Sequence, residues 1–469
     1  MLIDGVARRS IMGGVAKMGN RKPSYLRDSS WLAGADILAV GLALLGQLVL
    51  TRALAVAEYG MWMVILDLFA ALYLLLDAGL PTLLARDGAR SPQQVHSAVQ
   101  QIWKIQATIS VPFVLLTLPL VIWLYDVPNV LLFCAALISL AHIASYAPRS
   151  GLRAMGEARL EAISKLVERG VMTLAYVLLL TNGVNEVAPY AFALLFGSFA
   201  GLMTAIILEL RVSKKQHSGE NDLGLGEVWS DWKSLVIHAL PFAVTVGVLP
   251  YVTKFEKFFL AYFHSYEMVA VYHVAQLAWV AGLVLPQAMR SSLLSVLGAS
   301  RDCLETSDSH LEKAHSTNLY LIPGGMVLGG LVVPWLIGFA FPSSYSDGSL
   351  GIDAGHIFLV LIPGWGLSMA AVPYVSALQA GDKPWRFAGL ILSALVIAIV
   401  AGLLLIPTYH VYGAAVAAVV VTFGMLLYSL KWATLGTYRG TLGSWLVIIC
   451  SILATTILNL QLYRLLTHS

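Results

Sequence analysis

Runs of about 20 apolar residues recur along the whole chain, and this feature constrains the fold more than any other. A helix of that length spans the hydrocarbon core of a bilayer. Lipid cannot satisfy backbone polar groups, so spanning segments are helices or the strands of closed barrels. Barrel strands alternate apolar and polar residues, whereas the runs here are continuous. The sequence therefore predicts an all-α protein that crosses a membrane many times.

The composition excludes several classes of function. Hydrophobic residues make up 58% of the 469 residues and charged residues 12%, against about 25% charged in soluble domains. The net charge of +3 is too small to indicate binding to nucleic acid. From the positions of the three cysteines we expect no disulfide bonds. No phosphate-binding loop, zinc-binding motif or nucleophile motif occurs, so we expect no cofactor, no metal and no enzymatic activity.

Thirteen apolar runs are long enough to span, and we expect a helix in each. The first 28 residues are basic and polar, and no cleavable signal is expected there. The predicted spans are 29–50, 59–80, 103–124, 128–147, 163–182, 188–208, 235–260, 268–297, 319–341, 356–378, 387–406, 412–432 and 442–463.

Lys and Arg are distributed unequally between the two sides of these spans. If the N-terminus is cytoplasmic, 25 of the 29 Lys and Arg residues fall on the cytoplasmic side. Basic residues concentrate on that side of membrane proteins. The sequence therefore predicts a multi-pass protein of the cytoplasmic (inner) membrane with its N-terminus inside and its C-terminus outside.

Corresponding turns in the two halves suggest an internal repeat. Residues 152–159 separate two spans of the first half, and residues 378–384 separate two spans of the second. Parallel repeats with an even number of spans are related by an axis along the membrane normal. We therefore expect two pseudo-symmetric six-helix bundles enclosing a central cavity. The predicted domains are a basic cytoplasmic tail (1–28), the first bundle (29–208), a cytoplasmic linker (209–234), the second bundle (235–432) and an additional C-terminal helix (433–469).

The clearest candidate site is the charged stretch that contains Lys254, Glu256 and Lys257, which apolar sequence flanks on both sides. Charged side chains inside a membrane are costly, so they usually face a cavity or a partner. Lys254 and Lys257 share one helix face. Two ammonium groups at this spacing predict a phosphate site, with Glu256 offsetting their charge when the site is empty. The alternative is that span seven ends near Thr253 and leaves these residues in a solvated loop.

Three aspartates also lie inside predicted spans: Asp36 in span one, and Asp67 and Asp77 in span two. In a continuous helix Asp67 and Asp77 point within roughly 80° of each other, so both can face one cavity. We expect these acids to bind a coupling ion or to form structural hydrogen bonds between helices.

Other candidates for contact with an anionic substrate lie near span boundaries or on span eight. Arg52, Arg149 and Arg290 qualify because a guanidinium binds phosphate bidentately, and anchoring to lipid headgroups is the alternative. His273 and Gln276 lie three residues apart on one helix face, where they either contact substrate or form a buried pair.

Several short motifs occur in the order and spacing of a known family. Residues 50–54 (LTRAL), 58–60 (EYG) and 76–80 (LDAGL) resemble the opening of polysaccharide-biosynthesis flippases, the O-antigen and exopolysaccharide transporters. These transporters belong to the multidrug/oligosaccharidyl-lipid/polysaccharide exporter superfamily. Further resemblance lies in residues 254–257 (KFEK), 271–273 (VYH), 378–383 (LQAGDK) and 412–415 (YGAA). The chain departs from the family in having Glu256 where an Asp is usual, and in thirteen rather than fourteen predicted helices.

The resemblance implies a membrane flippase in which two bundles rock about a central cavity. The implied substrate is a lipid-linked oligosaccharide of the polyprenyl-pyrophosphate type, moved by alternating access and driven by an ion or by the membrane potential. It further implies that Lys254, Lys257 and Arg52 bind the pyrophosphate and that Asp77 or Asp36 holds the coupling ion. Implied partners are membrane lipids, a polysaccharide polymerase and glycosyltransferases, with the flippase itself a monomer.

Two alternatives stay open at this point. A multidrug/cation antiporter of the same superfamily needs an acidic, aromatic cavity with few buried basic residues. A membrane-embedded polysaccharide polymerase or ligase needs a large external loop that bears Arg and His. The longest predicted external loop, 342–355, contains no Arg.

Overall fold

A computed structural model describes residues 25–467, apart from 89–90, 125–126, 217–228, 230, 253, 300–302, 349–350, 382 and 434. Most of the predicted tail (1–28) and much of the predicted linker (209–234) therefore lie outside the described residues. The described part of the chain is almost entirely helical and contains no strand. The expectation of an all-α protein is confirmed.

The first group of helices, which we call the N-bundle, precedes the predicted linker. It consists of α1 (Tyr25–Ala53), α2 (Val56–Leu74), α3 (Leu80–Asp87), α4 (Val95–Leu124), α5 (Asn129–Ala154), α6 (Ala158–Thr181) and α7 (Val187–Gln216). Within it α6 packs between α1 and α7, and α5 packs against α2, α4 and α7.

The second group, which we call the C-bundle, follows the linker. It consists of α8 (Trp232–Val252), α9 (Phe255–Phe263), α10 (Tyr266–Gly282), α11 (Val284–Ala299), α12 (Leu304–Ala340), α13 (Ala354–Ala380) and α14 (Pro384–Trp432), and α15 (Leu442–Thr467) packs on its outside against α12 and α13. The bundles meet mainly where α2 lies against α10, and also where α3 contacts α8. The exact domain bounds stay a prediction.

Nine helices among the described residues are long and apolar enough to cross a membrane, and the chain is a multi-pass membrane protein. One of them, α14, is interrupted at His410, whose backbone is left-handed (φ 51°). At about 1.5 Å per residue the two arms of α14 reach roughly 39 and 33 Å, and each is long enough to cross on its own. The interruption lies between predicted spans 387–406 and 412–432. The total of thirteen spans stays a prediction.

Span two, predicted as one helix over 59–80, breaks before its end. Helix α2 stops at Leu74, a 3-10 turn covers Leu75–Asp77, and Ala78 and Gly79 adopt left-handed backbone angles. Pro81 explains part of the break, because it has no N–H with which to bond the carbonyl of residue 77. The prediction of a continuous helix is wrong here, and with it the argument that Asp67 and Asp77 share a helix face.

Two glycines allow close packing of α12 against its neighbours, as small residues do in membrane helices. A Cβ on Gly325 would lie 2.3 Å from the Trp365 ring. A Cβ on Gly330 would lie 2.1 Å from the side chain of Asn459 on α15, which donates a hydrogen bond to the Met326 carbonyl at 2.9 Å.

Substitution of Gly330 by alanine is expected to loosen α15, because Asn459 must move and lose its buried bond. Overpacking of this kind destabilises by about 1–3 kcal/mol. Thermal unfolding in detergent should therefore shift to lower temperature in Gly330→Ala. The matched control is Gly329→Ala, whose Cβ would meet Ile362 at an ordinary 3.4 Å. Equal melting of the two variants would contradict this account of the α12–α15 contact.

Candidate functional site

The two lysines predicted to bind phosphate lie at a break between helices α8 and α9. Helix α8 ends at Val252 and α9 begins at Phe255, with Lys254 as its N-cap. Broken helices occur at membrane depth only where they are buried in protein or line a cavity. Lys257 is buried and Lys254 is half-buried, so the alternative of a solvated loop is not what the structure shows.

Both lysines form ion pairs with one aspartate of the N-bundle. Lys254 Nζ lies 2.6 Å from Asp67 Oδ1, and Lys257 Nζ pairs with Asp67 Oδ2. Asp67 is the twelfth residue of α2, about 16 Å along the helix axis from Val56, which places it near the middle of a bilayer core. The ion pairs therefore bridge the two bundles deep in the predicted membrane region. We call Asp67, Lys254, Lys257 and His273 the interface cluster.

His273 on α10 completes this cluster. Lys257 Nζ donates to His273 Nδ1 at 3.2 Å, and the other ring nitrogen, Nε2, is buried without a partner among the described residues. The ring of Tyr59 lies 5.8 Å from that of His273, and the Tyr59 hydroxyl donates to Gln47 Oε1 at 2.7 Å. Gln276, one turn further along α10, is buried as well.

Glu256 does not take the role expected from the sequence. Asp67, on the other bundle, offsets the charge of the lysines in place of Glu256. Glu256 is 3% exposed, and its Oε2 has no hydrogen-bond partner in the described part of the chain. The ion pairs of both lysines are formed with Asp67.

The three candidate arginines lie apart from the interface cluster. Arg52 is exposed and donates from Nη2 to the Ala340 carbonyl at 3.0 Å, which ties the end of α1 to the end of α12. Arg149 is buried in the N-bundle, where it donates to Ser164 Oγ at 3.0 Å and to Glu168 Oε2 at 2.7 Å. Arg290 is half-buried on α11, and the ion pairs of both lysines are formed with Asp67 instead.

The remaining acidic candidates are also separate. The side chain of Asp36 lies outside the described residues. Asp77 is 2% exposed in the 3-10 turn, and its Oδ1 lacks a partner among the described residues. The ion-coupling role predicted for Asp36, Asp67 and Asp77 stays a prediction, and the structure adds that Asp67 is already engaged by both lysines.

A cavity of about 150 Å³ opens beside Asp67 inside the N-bundle. Its polar lining includes Gln47 of α1, Asp67 of α2, His142 of α5 and Arg169 of α6. A second cavity of about 320 Å³ shares Ala43 and Arg169 with the first and adds Arg149, Lys165 and Glu168. We call them the inner and the side cavity. Both are small or marginal for an organic ligand, which typically needs about 300–1,000 Å³.

The N-bundle network around these cavities was missed by sequence reasoning. Glu168 accepts from Arg149, and its Oε1 lies 3.1 Å from His142 Nε2. Arg169 Nη2 lies 3.7 Å from Glu168 Oε1, beyond hydrogen-bond distance. The available signal was that Lys165, Glu168 and Arg169 fall inside predicted span 163–182, where they were counted as flanking charges.

The arrangement suits a bulky anion that enters between the bundles. Two ammonium groups aimed at one carboxylate form charge-assisted contacts, and a phosphate oxygen can replace that carboxylate with the same geometry. In the closed arrangement the inner cavity holds the volume of about five water molecules, at roughly 30 Å³ each. A saccharide therefore needs more space than the inner cavity offers in this structure.

Three solved structures with similar folds are a flippase and two membrane transporters. The lipid II flippase MurJ in an inward closed conformation aligns with a TM-score of 0.68 and 13% identity over 92% of each chain. An inward-facing MATE family transporter of the MOP superfamily aligns with a TM-score of 0.61 and 14% identity over 88% of this chain and 95% of the other. A MOP superfamily transporter from Pyrococcus furiosus aligns at 0.51 and 16% identity, over 91% and 92%. These likenesses show a shared fold.

Sequence comparison identifies the family. A search of curated protein sequences finds no match. The polysaccharide biosynthesis protein family matches residues 25–292, more than half of the chain, and that stretch contains α1 through most of α11 with the whole interface cluster. The resemblance drawn from the short motifs is thereby confirmed. The chain belongs to the polysaccharide biosynthesis protein family.

Proposed function

We propose that this protein is a flippase that carries a lipid-linked oligosaccharide, attached through a polyprenyl pyrophosphate, across the cytoplasmic membrane. The observation that carries the proposal is the buried pair Lys254 and Lys257, held at the bundle interface by Asp67 of the opposite bundle. Family membership supports a role in polysaccharide synthesis, and the MurJ fold supports translocation of a lipid-linked precursor.

The ion pairs supply a way to couple substrate binding to opening. In the closed form Asp67 neutralises the lysines and fastens α2 to α9. A pyrophosphate carries more negative charge than one carboxylate, so it displaces Asp67 and removes the fastening between the bundles. The saccharide then passes through the cavity while the polyprenyl tail stays in lipid. When the pyrophosphate is released on the external side of the membrane, Asp67 binds the lysines again.

The orientation belongs to the same proposal. The charge asymmetry of 25 to 4 supports a cytoplasmic N-terminus. With that orientation Arg52, Gly60, Phe263 and Tyr266 lie toward the external end of their helices, and the interface cluster lies near the middle of the membrane. The protein acts as a monomer, driven by an ion or by the membrane potential, and receives its substrate from glycosyltransferases and delivers it to a polymerase.

A flipping assay in proteoliposomes tests the proposal. Protein is reconstituted with a polyprenyl-pyrophosphate oligosaccharide, and a saccharide-cleaving enzyme outside the vesicles reports how much substrate reaches the outer leaflet. We expect all of the substrate to become accessible with protein and about half without it. A parallel assay with a cationic dye tests the antiporter. Transport of the dye without flipping of the oligosaccharide would show that the protein is an antiporter and not a flippase. The buried lysines argue against an antiporter because they repel a cation.

A further inference from the structure

Two histidines meet where helix α9 ends beside the turn in α14. His264 is the C-cap of α9, and His410 lies where α14 is interrupted. Their Nδ1 atoms are 3.0 Å apart and their ring centroids 4.2 Å apart. The pair lies outside the interface cluster and lines neither the inner nor the side cavity. Because the two residues are 146 positions apart in the sequence, no local motif indicates that they meet.

The turn in α14 is a tight hairpin with an unfavourable backbone conformation. A Cβ on Gly413 would lie 2.3 Å from the Leu405 carbonyl oxygen, whereas eight residues of an unbroken helix span about 12 Å. The chain therefore reverses at His410, and the two arms of α14 run side by side. His410 has φ 51° and ψ −129°, angles that glycine adopts readily and a residue with a Cβ adopts at a cost. Such an outlier is a reason to expect a role for its side chain.

The hydrogen bonds of His264 leave one of its ring nitrogens able to bind an ion. A carbonyl oxygen only accepts, so His264 Nε2 donates to the Ile406 carbonyl at 2.8 Å. In the neutral ring this bond assigns the proton to Nε2 and a lone pair to Nδ1, the nitrogen that faces His410. Histidines that bind metals are held in the same way, with the second ring nitrogen donating to a backbone carbonyl or a carboxylate.

The distance between the two Nδ1 atoms suits a transition-metal ion. Two imidazole nitrogens bound to one tetrahedral ion at about 2.0–2.1 Å lie roughly 3.3 Å apart, close to the 3.0 Å between His264 and His410. The rings lie partly side by side with their planes at 59°, so small rotations aim both lone pairs at one ion. His410 is exposed and His264 is half-buried, so the pair is open to ions from solution.

The chemistry of the pair selects the class of ion. Imidazole suits Zn²⁺, Cu²⁺ and Ni²⁺, whereas Mg²⁺ and Ca²⁺ prefer oxygen ligands. In the part of the chain that the structure describes, no set of three His, Cys, Asp or Glu side chains is placed to hold an ion. Water therefore completes the coordination, and the ion exchanges with the solution. When it binds, His410 gives up its Nδ1 proton to water and takes one at Nε2, so both rings stay neutral.

We propose that His264 and His410 form a binding site for a divalent transition-metal ion of the Zn²⁺ class. The ion joins the end of α9, the helix that carries Lys257, to the α14 hairpin and steadies this end of the C-bundle. With a cytoplasmic N-terminus the site faces the external medium. It does not depend on the proposed transport activity, so either can fail without the other.

Thermal unfolding of the full chain in detergent, without an affinity tag and after treatment with a chelator, tests the site at neutral pH. Addition of ZnCl₂ is expected to raise the melting temperature by at least about 2 °C, because an ion that binds only the folded protein stabilises it. MgCl₂ at the same concentration should leave the melting temperature unchanged. The absence of a Zn²⁺ response in wild-type protein overturns the site.

Variants of the pair separate metal binding from folding. His410→Gly removes one ligand and suits the left-handed backbone, so without metal it should melt no lower than wild type, and it should lose the Zn²⁺ response. His264→Gln should also lose the response, although its amide can still donate to the Ile406 carbonyl. His238→Gln is the matched control, an exposed histidine on α8 that should respond as wild type does. A Zn²⁺ response that persists in His410→Gly and His264→Gln, or one that His238→Gln abolishes, overturns the site.

Discussion

Replacement of both Lys254 and Lys257 by alanine is expected to reduce flipping of the polyprenyl-pyrophosphate oligosaccharide at least about 100-fold. Hydrogen bonds to charged groups contribute about 1.5–3 kcal/mol each, so loss of two removes roughly 3–6 kcal/mol from the bound state. Each 1.4 kcal/mol corresponds to about a factor of ten. The measurement is the initial flipping rate in proteoliposomes, normalised to the amount of folded protein.

Two controls separate binding from folding. The double lysine variant leaves Asp67 inside the protein without its partners, which destabilises a folded chain by about 3–5 kcal/mol. Addition of Asp67→Asn removes this buried unpaired charge. The triple variant should therefore regain thermal stability and still fail to flip the oligosaccharide. Lys104→Ala with Lys313→Ala changes two exposed lysines and should behave as wild type. A triple variant that flips at the wild-type rate would contradict the phosphate site.

Gly60→Ala is expected to hold the bundles apart at the N-terminal end of α2, which packs against Tyr266 of α10. A Cβ on Gly60 would lie 1.9 Å from the Tyr266 carbonyl oxygen and 3.1 Å from the Ala270 nitrogen. These are backbone atoms of α10, so no rotation of a side chain relieves the overlap. Overpacking by about 1–3 kcal/mol shifts the equilibrium from closed to open by roughly 5- to 150-fold.

A distance between spin labels measures this opening. Labels on cysteines at Val130 and Tyr262, which are 50% and 67% exposed on opposite bundles, report on the external end in a chain whose native cysteines have been replaced. We expect Gly60→Ala to lengthen the distance by more than about 2 Å and to slow flipping. Gly170→Ala is the control, because a Cβ there meets nothing within 4 Å. An unchanged distance in Gly60→Ala would show that the close α2–α10 contact does not control this end.

Sequence reasoning found one half of the interface cluster and missed the other half for a physical reason. Lys254 and Lys257 stand out because they interrupt an apolar run. Their partner Asp67 is 190 residues away from Lys257, and the two meet because α2 packs against α9 and α10. A single sequence has no feature that reports this packing. The nearer acid, Glu256, therefore received the role that belongs to Asp67.

Breaks in helices were harder to predict than the helices themselves. Hydropathy identified the apolar helices because the lipid environment favours apolar side chains along the whole length of a span. It does not respond to backbone angles, so the left-handed Ala78 and Gly79 passed unnoticed. A helix end before Lys254 was predicted only as part of the alternative that placed the lysines in a solvated loop. The signals at the first break were Gly79 and Pro81. The N-bundle charges Glu168 and Arg169 escaped attention because they follow a run of basic residues that looked like an ordinary cytoplasmic flank.

The exchange of Asp67 for pyrophosphate is the central claim, and the affinity of Asp67→Asn tests it most directly. The variant keeps the size of the side chain and removes the negative charge that competes for Lys254 and Lys257. The measurement is the Kd of detergent-purified protein for the polyprenyl-pyrophosphate disaccharide, compared with wild type at the same pH and salt. The account predicts that Asp67→Asn binds about ten times more tightly, which corresponds to about 1.4 kcal/mol of competition removed. Equal or weaker binding by the variant would contradict it.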